Sequence, residues 1–314
     1  MNNKTIKKIG IVGTGVIGAS WAAYYLAQGF DVSAFDPAPD AEEKLRTLIP
    51  QFWVPLTRIG LANGASLDRL SFSKDLATAL HGVDFVQENG PERVTIKRQL
   101  LAGITEHVGP DVIIATSSSG ILISEIQNAA KGPDRIVVGH PFNPPHLIPL
   151  VEVVGGNLTS PKVIEQTLSF YAMVGKKPIH IRREIKGHIA NRLQAALWRE
   201  AFYLVDQGIA SVADIDTAIA QGPGLRWALL GPFMNLHLSG GAGGIGYAID
   251  HLGPPIESWW RDLGDLSFTP AIRSDVVDGI QEELDGRNLD AVTDARDNVL
   301  IQLLALKAAA APLP

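Results

Sequence analysis

Ile9-Gly-Ile-Val12-Gly13-Thr-Gly15-Val-Ile-Gly18 decides the fold of this chain. The apolar opening reads as a short strand, and the pattern from Ala19 to Gln28, closed by Gly29, reads as a helix, so the glycines fall in a strand-to-helix turn. Gly13 permits the tight turn, Gly15 lets the backbone approach a pyrophosphate, and Gly18 allows the helix to pack close to the strand. With the phosphates resting on the helix N-terminus, the expected cofactor contacts are Gly13, Gly15, Val16, Ile17 and Gly18. Alone this motif is weak. The next strand, Asp31-Val-Ser-Ala-Phe-Asp36, strengthens it by ending in an acid 18 residues after Gly18, where a carboxylate can accept bonds from the adenosine ribose hydroxyls. Asp36 favours NAD over NADP, because a 2'-phosphate would meet like charge there and Pro37-Ala38-Pro39 brings no arginine to receive it.

Further strands are expected at Val83–Gln87 and Val112–Ala115, with a helix at Val94–His107 between them. That alternation predicts an α/β fold whose N-terminal part is a Rossmann-type, doubly wound, mostly parallel sheet. Strand C-termini in such sheets face the ligand crevice, so Glu88-Asn89-Gly90 and Thr116–Ser119 should border the nicotinamide half of the cofactor. From about Glu184 the pattern changes to long helices, as at Ile189–Val205 and Val212–Ala220. The expected division is an NAD-binding domain over 1–184 and an all-helical domain over 185–314 for substrate binding and dimerisation.

The chain's 314 residues, 46% hydrophobic and 19% charged, can bury two cores. A formal net charge of -6, with no basic run longer than Lys7-Lys8 or Arg182-Arg183, argues against a nucleic-acid partner. The absence of cysteine excludes disulfides, zinc-thiolate sites and thiol catalysis, and no metal site is expected. The N-terminus lacks the apolar stretch of a signal peptide, and no apolar span approaches the roughly 18 residues of a membrane helix. A cytoplasmic protein without membrane contact is expected.

His140 and Glu152 stand twelve residues apart, the first at the exit of an expected strand Arg135–Gly139 and the second inside an expected strand Leu150–Val154. A carboxylate bonded to one imidazole nitrogen fixes the tautomer and leaves the other nitrogen free to take a proton from a hydroxyl. The spacing alone is equally compatible with a histidine that only ties down a loop.

Taken together these residues resemble the L-3-hydroxyacyl-CoA dehydrogenase superfamily over almost the whole chain. The resemblance rests on Gly13–Gly18, on Glu88, Glu92 and Lys97, and on the strand end at Ser119. It continues through His140-Pro-Phe-Asn143, Pro149-Leu-Val-Glu152, Lys186-Gly-His-Ile-Ala-Asn-Arg-Leu193 and Gly231-Pro232. It implies His140 as catalytic base, Glu152 as its orienting acid, and Ser119 and Asn191 as the polar groups that hold the substrate oxygen. It also implies that Asp36, Glu92, Lys97, Ser119 and Asn143 contact NAD, and that the helical domain makes a homodimer. Trp198, Phe202 and Tyr203 are then read as core or dimer interface. One departure is Lys186-Gly-His188, where the family has Pro-Gly-Phe.

Within the superfamily, Gly222-Pro-Gly-Leu-Arg226-Trp227 resembles the branch that acts on free acids, including L-carnitine dehydrogenase and the gulonate 3-dehydrogenase related to lambda-crystallin. Acyl-CoA members carry a lysine-rich helical arm after the second strand, whereas Ala41–Arg58 has only Lys44, Arg46 and Arg58 against two glutamates. The segment Gly222-Pro-Gly-Leu-Arg226-Trp227 supplies a guanidinium that can clamp a free carboxylate, so Arg226 and Trp227 are candidate substrate contacts. A salt bridge or helix cap is the alternative role for Arg226. A quaternary ammonium would need aromatic faces, for which Trp227, Phe233, Tyr247, Trp259 and Trp260 are available, although ordinary packing also accounts for each. The resemblance therefore implies NAD-dependent oxidation of the 3-hydroxyl of a small free acid, with L-carnitine first. The alternatives are an L-3-hydroxyacyl-CoA substrate, L-gulonate, and a non-catalytic crystallin-like role.

Overall fold

The computed structural model describes residues 6–310 and Leu313, and the chain forms two compact units, Met1–Arg192 and Leu193–Pro314. The first unit holds eight strands among the described residues: β1 (Lys8–Val12), β2 (Asp31–Phe35), β3 (Leu70–Ser73), β4 (Phe85–Glu88), β5 (Ile113–Thr116), β6 (Ile136–Pro141), β7 (Leu150–Gly155) and β8 (Lys177–Ile181). They form one sheet in the order β3-β2-β1-β4-β5-β6-β7-β8. All neighbours are parallel except β6 and β7, which are antiparallel. The helices of this unit are α1 (Val16–Ala27), α2 (Ala41–Ile59), α3 (Leu76–Leu80), α4 (Val94–His107), α5 (Ile123–Ile126) and α6 (Pro161–Met173).

Strand side chains alternate between two cores, as the period of two requires. Ile9, Ile11, Phe85, Ile113, Ala115, Val137, Val151 and Val153 face α1, α2 and α6 on one side of the sheet. Val12, Val86, Ile114, Val138 and Val154 face α3, α4 and α5 on the other. Both faces of the sheet are covered, which explains why its strands are nearly continuous apolar runs. Helix α1 is buried on nearly every side from Gly18 to Ala27 and ends at Gln28, followed by Gly29 at φ 81°.

The helix after the glycine turn starts at Val16 rather than Ala19, because Gly15 already stands at its N-cap position. Strands β3 and β8 were absent from the expectation, being short edge elements with mixed burial. Strand β6 extends two residues past Gly139, so His140 lies in the ladder itself, with Glu152 as its register partner on β7.

Beneath the sheet's carboxyl end lies a buried ion pair. Lys97, 1% exposed, donates to both carboxylate oxygens of Glu88 (3.2 and 3.0 Å) and to Gly90 O (3.1 Å). On the opposite face Lys176 donates to Pro145 O and Ile148 O in the β6–β7 connection and stands 3.7 Å from the Tyr24 ring centre. Burial pulls the Lys176 ammonium down from the usual lysine value to about 7.

The second unit is helical. Helix α7 (Ala190–Asp206) leads into it, followed by α8 (Val212–Ala220), α9 (Pro223–Trp227), α10 (Pro232–Ser239), α11 (Gly244–Asp262), α12 (Pro270–Leu284) and α13 (Leu289–Ala309). Ser211, Thr269 and Asn288 cap α8, α12 and α13 by accepting from backbone N–H groups of the first turn. Helix α8 packs on α12 and α10 on α11. Few side chains here are fully buried, Ala248 and Ile272 among them, while Trp198, Phe233, Trp259, Trp260 and Phe268 are each more than half exposed.

Two stability measurements follow from the buried lysines. Lys97→Met leaves the buried Glu88 charge without its counter-charge, held among the described residues only by Gly90 N–H and the Thr116 hydroxyl, and is expected to lower unfolding free energy by about 3–5 kcal/mol, whereas the double change Glu88→Gln with Lys97→Met costs less. Urea unfolding of both variants checks this, and a double variant no more stable than the single one would contradict it. For Lys176, the folded chain releases its proton near pH 7 and the unfolded chain near 10.5, so the unfolded state binds more protons between them. Stability relative to Lys176→Met should therefore rise with pH across that window, at up to about 1.4 kcal/mol per unit. A flat difference would contradict the assignment.

Candidate active site

His140 is 6% exposed and Glu152 is fully buried, and the antiparallel register sets them side by side across β6 and β7. His140 Nδ1 lies 2.9 Å from Glu152 Oε2. A carboxylate only accepts, so Nδ1 carries the hydrogen and Nε2 keeps a lone pair. The other oxygen of Glu152 accepts from Ile189 N (2.9 Å) and Ala190 N (3.0 Å), at the entry to α7. Burial pushes the Glu152 carboxyl up, but the bonds from His140, Ala190 and Ile189 outweigh it and hold the pKa below the usual glutamate value. The carboxylate stays ionised and fixes the imidazole tautomer. Asn191 follows directly in the same first turn of α7.

The strand ends of β4 and β5 surround this pair with a polar network. Glu92 Oε1 accepts from Ser118 Oγ (2.6 Å) and from the backbone N–H groups of Ser119, Gly120 and Ile121 (3.0, 2.9 and 3.2 Å). Burial raises the Glu92 pKa, yet the bonds from Ser118 and Gly120 and the Lys97 charge leave it below the usual value. Glu92 thus shapes the turn that presents Ser119. Lys97 is committed to Glu88 and Gly90, with Glu92 Oε2 at 3.6 Å, so it stabilises the turn from below. Asn143 is exposed in the connection after β6.

Gln87 is a site residue that no motif announced. Its Nε2 donates to Ser117 Oγ (2.9 Å) and Gly139 O (3.2 Å), and its Oε1 accepts from Tyr171 OH (2.6 Å). It pins β4 to the backbone immediately before His140. The only signal was a polar residue ending an apolar strand.

The glycine turn fits a dinucleotide. A Cβ on Gly18 would stand 1.9 Å from Gly13 O, and one on Gly13, at φ 87°, would stand 2.8 Å from Asn89 C and O, so neither position accepts a side chain. A Cβ on Gly15 meets nothing within 4 Å, and α1 begins without a side-chain cap on its free N–H groups. Val16 is 57% exposed beside Ile17 at that helix start. Asp36 Oδ2 accepts from Thr14 N (2.9 Å) and Oδ1 from Ala38 N (3.0 Å), which aims the carboxylate over the turn with lone pairs left for ribose hydroxyls.

The first unit therefore holds Gly13–Gly18, Asp36, Glu92, Ser119, His140, Glu152 and Asn191, with direct bonds joining His140 to Glu152, Glu152 to the start of α7, and Glu92 to the Ser119 turn. Arg226 and Trp227 belong to α9 in the second unit, where both are exposed. Phe233, Tyr247, Trp259 and Trp260 are exposed as well, so packing inside their own unit does not account for them. Trp198 is likewise exposed, while Phe202 meets Phe268 edge-on at 5.0 Å.

Residues 8–185 match the family model for the 3-hydroxyacyl-CoA dehydrogenase NAD binding domain, and residues 187–265 match that of the family's C-terminal domain. The chain is 48% identical over 299 residues to an L-carnitine dehydrogenase of Streptomyces griseus, covering 95% of this chain and 89% of the relative. It is 45% identical over 306 residues to an L-carnitine dehydrogenase of Bacillus cereus, covering 98% and 94%. Among solved structures, an NAD+-dependent 5-formyl-3-hydroxy-2-methylpyridine 4-carboxylic acid 5-dehydrogenase superimposes with a TM-score of 0.84 at 27% identity, covering 97% of this chain and 99% of that one. A (S)-3-hydroxybutyryl-CoA dehydrogenase from Ralstonia eutropha gives a TM-score of 0.63 at 28% identity over 68% of this chain and 77% of that one. With both domain models matched over most of its length, the chain belongs to the 3-hydroxyacyl-CoA dehydrogenase family and is an NAD-dependent oxidoreductase.

Proposed function

We propose that this chain oxidises the 3-hydroxyl of a small free 3-hydroxy acid, L-carnitine first, to 3-dehydrocarnitine. The observation that carries the chemistry is the 2.9 Å bond from His140 Nδ1 to Glu152, which leaves Nε2 as a base. NAD, when bound at Gly13–Gly18 and Asp36, supplies the acceptor for the hydride from the carbinol carbon. His140 Nε2 takes the hydroxyl proton and the buried Glu152 carboxylate stabilises the resulting imidazolium; in the reverse direction the same nitrogen returns the proton. Ser119 and Asn191 hold the substrate oxygen. Glu92, Lys97 and Asn143 complete the NAD site, with the ammonium of Lys97 serving it through the turn that its buried pair with Glu88 holds.

The choice of a free acid rests on charge. Lys44 and Arg46, two of the three cations on α2, pair with Asp40 (2.5 Å) and Glu42 (2.8 Å), which leaves that arm little to offer a CoA nucleotide. Arg226 is assigned as the carboxylate anchor, and exposed aromatic rings such as Trp227 offer faces to a quaternary ammonium that has no N–H to donate. L-carnitine dehydrogenases at 42–48% identity support that choice. The exposed apolar face of the second unit suits a homodimer. No described helix is long and apolar enough to cross a membrane.

A panel of 3-hydroxy acids and acetoacetyl-CoA, read by NADH absorbance, tests the substrate. L-carnitine should give the highest kcat/KM, and turnover of acetoacetyl-CoA with none of any free acid would overturn the proposal. Arg226→Met should raise KM for the acid about 10- to 100-fold, the loss of a charge-assisted bond, while NAD affinity holds; an unchanged KM makes Arg226 structural. Glu152→Gln should lower kcat by about 10²- to 10⁴-fold, because its amide N–H can donate to Nδ1 and so favour the wrong tautomer. A kcat close to that of the unsubstituted enzyme would remove Glu152 from the mechanism.

A further inference from the structure

His188 has a left-handed backbone at φ 50°, directly after Gly187 at φ 75°. A side chain other than glycine holds that region at a cost, and such positions cluster at functional sites. The ring is 2% exposed, and Nε2 lies 3.0 Å from Ser118 O. A carbonyl only accepts, so Nε2 carries the hydrogen and Nδ1 is left with a lone pair. That Nδ1 is buried and has no hydrogen-bond partner among the described residues. An acceptor left this way is expensive and calls for a reason.

The reason lies in its neighbour. The His188 and His140 ring centres are 5.1 Å apart, inclined at 48°. The titratable groups acting on His188 are His140 on β6, Glu152 on β7 and Glu92 ahead of α4. Burial draws the His188 pKa below the usual histidine value, the bond to Ser118 acts the other way, and a charge on His140 lowers it again. Two imidazolium charges at this separation in a buried site would repel strongly, so a charge on one ring disfavours a charge on the other.

We propose that His188 is a positioning residue for the base, a neutral second imidazole that ties the Ser118–Ile121 turn to the catalytic pair through Nε2–H and stabilises the charged form of His140 through the electron-rich end of its dipole at Nδ1. In alcohol oxidation the O–H bond breaks and an N–H bond forms at His140 Nε2; His188 exchanges no proton. It makes the charged product of that transfer easier to form, so the neutral imidazole of His140 is a stronger base. The proposal rests on His140 as the base, and it holds for whichever 3-hydroxy acid is the substrate.

Three variants separate the parts. His188→Phe keeps a buried ring and removes both nitrogens. His188→Asn places an amide near the Nδ1 position and tolerates the left-handed backbone. His188→Gln reaches toward Ser118 O and gives up the Nδ1 acceptor. The readout is the acidic limb of the kcat/KM profile for oxidation, which reports the essential base of the free enzyme. The limb should move to lower pH by about half a unit or more in H188F and H188Q, with a several-fold lower kcat and unchanged NAD affinity, and stay in place in H188N. An unmoved limb in H188F and H188Q, or an equal shift in H188N, would overturn the proposal. Should H188F fail to fold, H188Q carries the comparison. Nitrogen-15 NMR of the unsubstituted protein supplies a readout without substrate: Nδ1 of His188 should resonate as an unprotonated nitrogen, and a protonated Nδ1 overturns the proposal even if carnitine is turned over. Failure of carnitine with both readouts as expected would fault the substrate assignment alone.

Discussion

The buried carboxylate of Glu152 is the group on which the site depends. One oxygen takes the Nδ1 hydrogen of His140 and the other takes two backbone N–H groups at the start of α7. Only the reversal of strand direction between β6 and β7 allows this, because the antiparallel ladder puts residues 140 and 152 directly opposite each other. A parallel partner would require a long crossover and would separate them. The charge is tolerable in a buried place because three donors meet it, and the same donors join the sheet to the helix that carries Asn191.

A second buried carboxylate does comparable work at the next strand ends. Glu88 with Lys97 anchors the end of β4, and Glu92 gathers four donors from the Ser118–Ile121 turn after β5. Gln87 then connects this region to the backbone just before His140. These networks are satisfied almost throughout, which gives a rigid platform. The unpartnered Nδ1 of His188 stands out against them.

Much of this was legible in the residues. The glycine turn, Asp36 and the alternating apolar runs carry the doubly wound sheet, because each is a local requirement of backbone geometry. The His140 and Glu152 pairing was legible as a possibility, since two strands joined by a short connection place such residues close together. What could not be read is what depends on distant packing. Lys97 and Glu92 matched as cofactor contacts, but the turn that their bonds hold could not be read from the motif. Gln87 and Lys176 carry no motif, because their partners are backbone carbonyls and rings brought near only by the fold. Phe233, Trp259 and Trp260 were open to either packing or substrate contact, and their exposure depends on how few side chains the second unit buries.

The central proposed role is that of His140 Nε2 as the group that accepts the alcohol proton. Transient kinetics of His140→Ala with saturating NAD and L-carnitine, set beside equilibrium binding of NAD to the same variant, tests it most directly. The account expects NAD affinity to hold while NADH formation in the first turnover falls by about 10²- to 10⁴-fold. First-turnover NADH formation at the unsubstituted rate would contradict it.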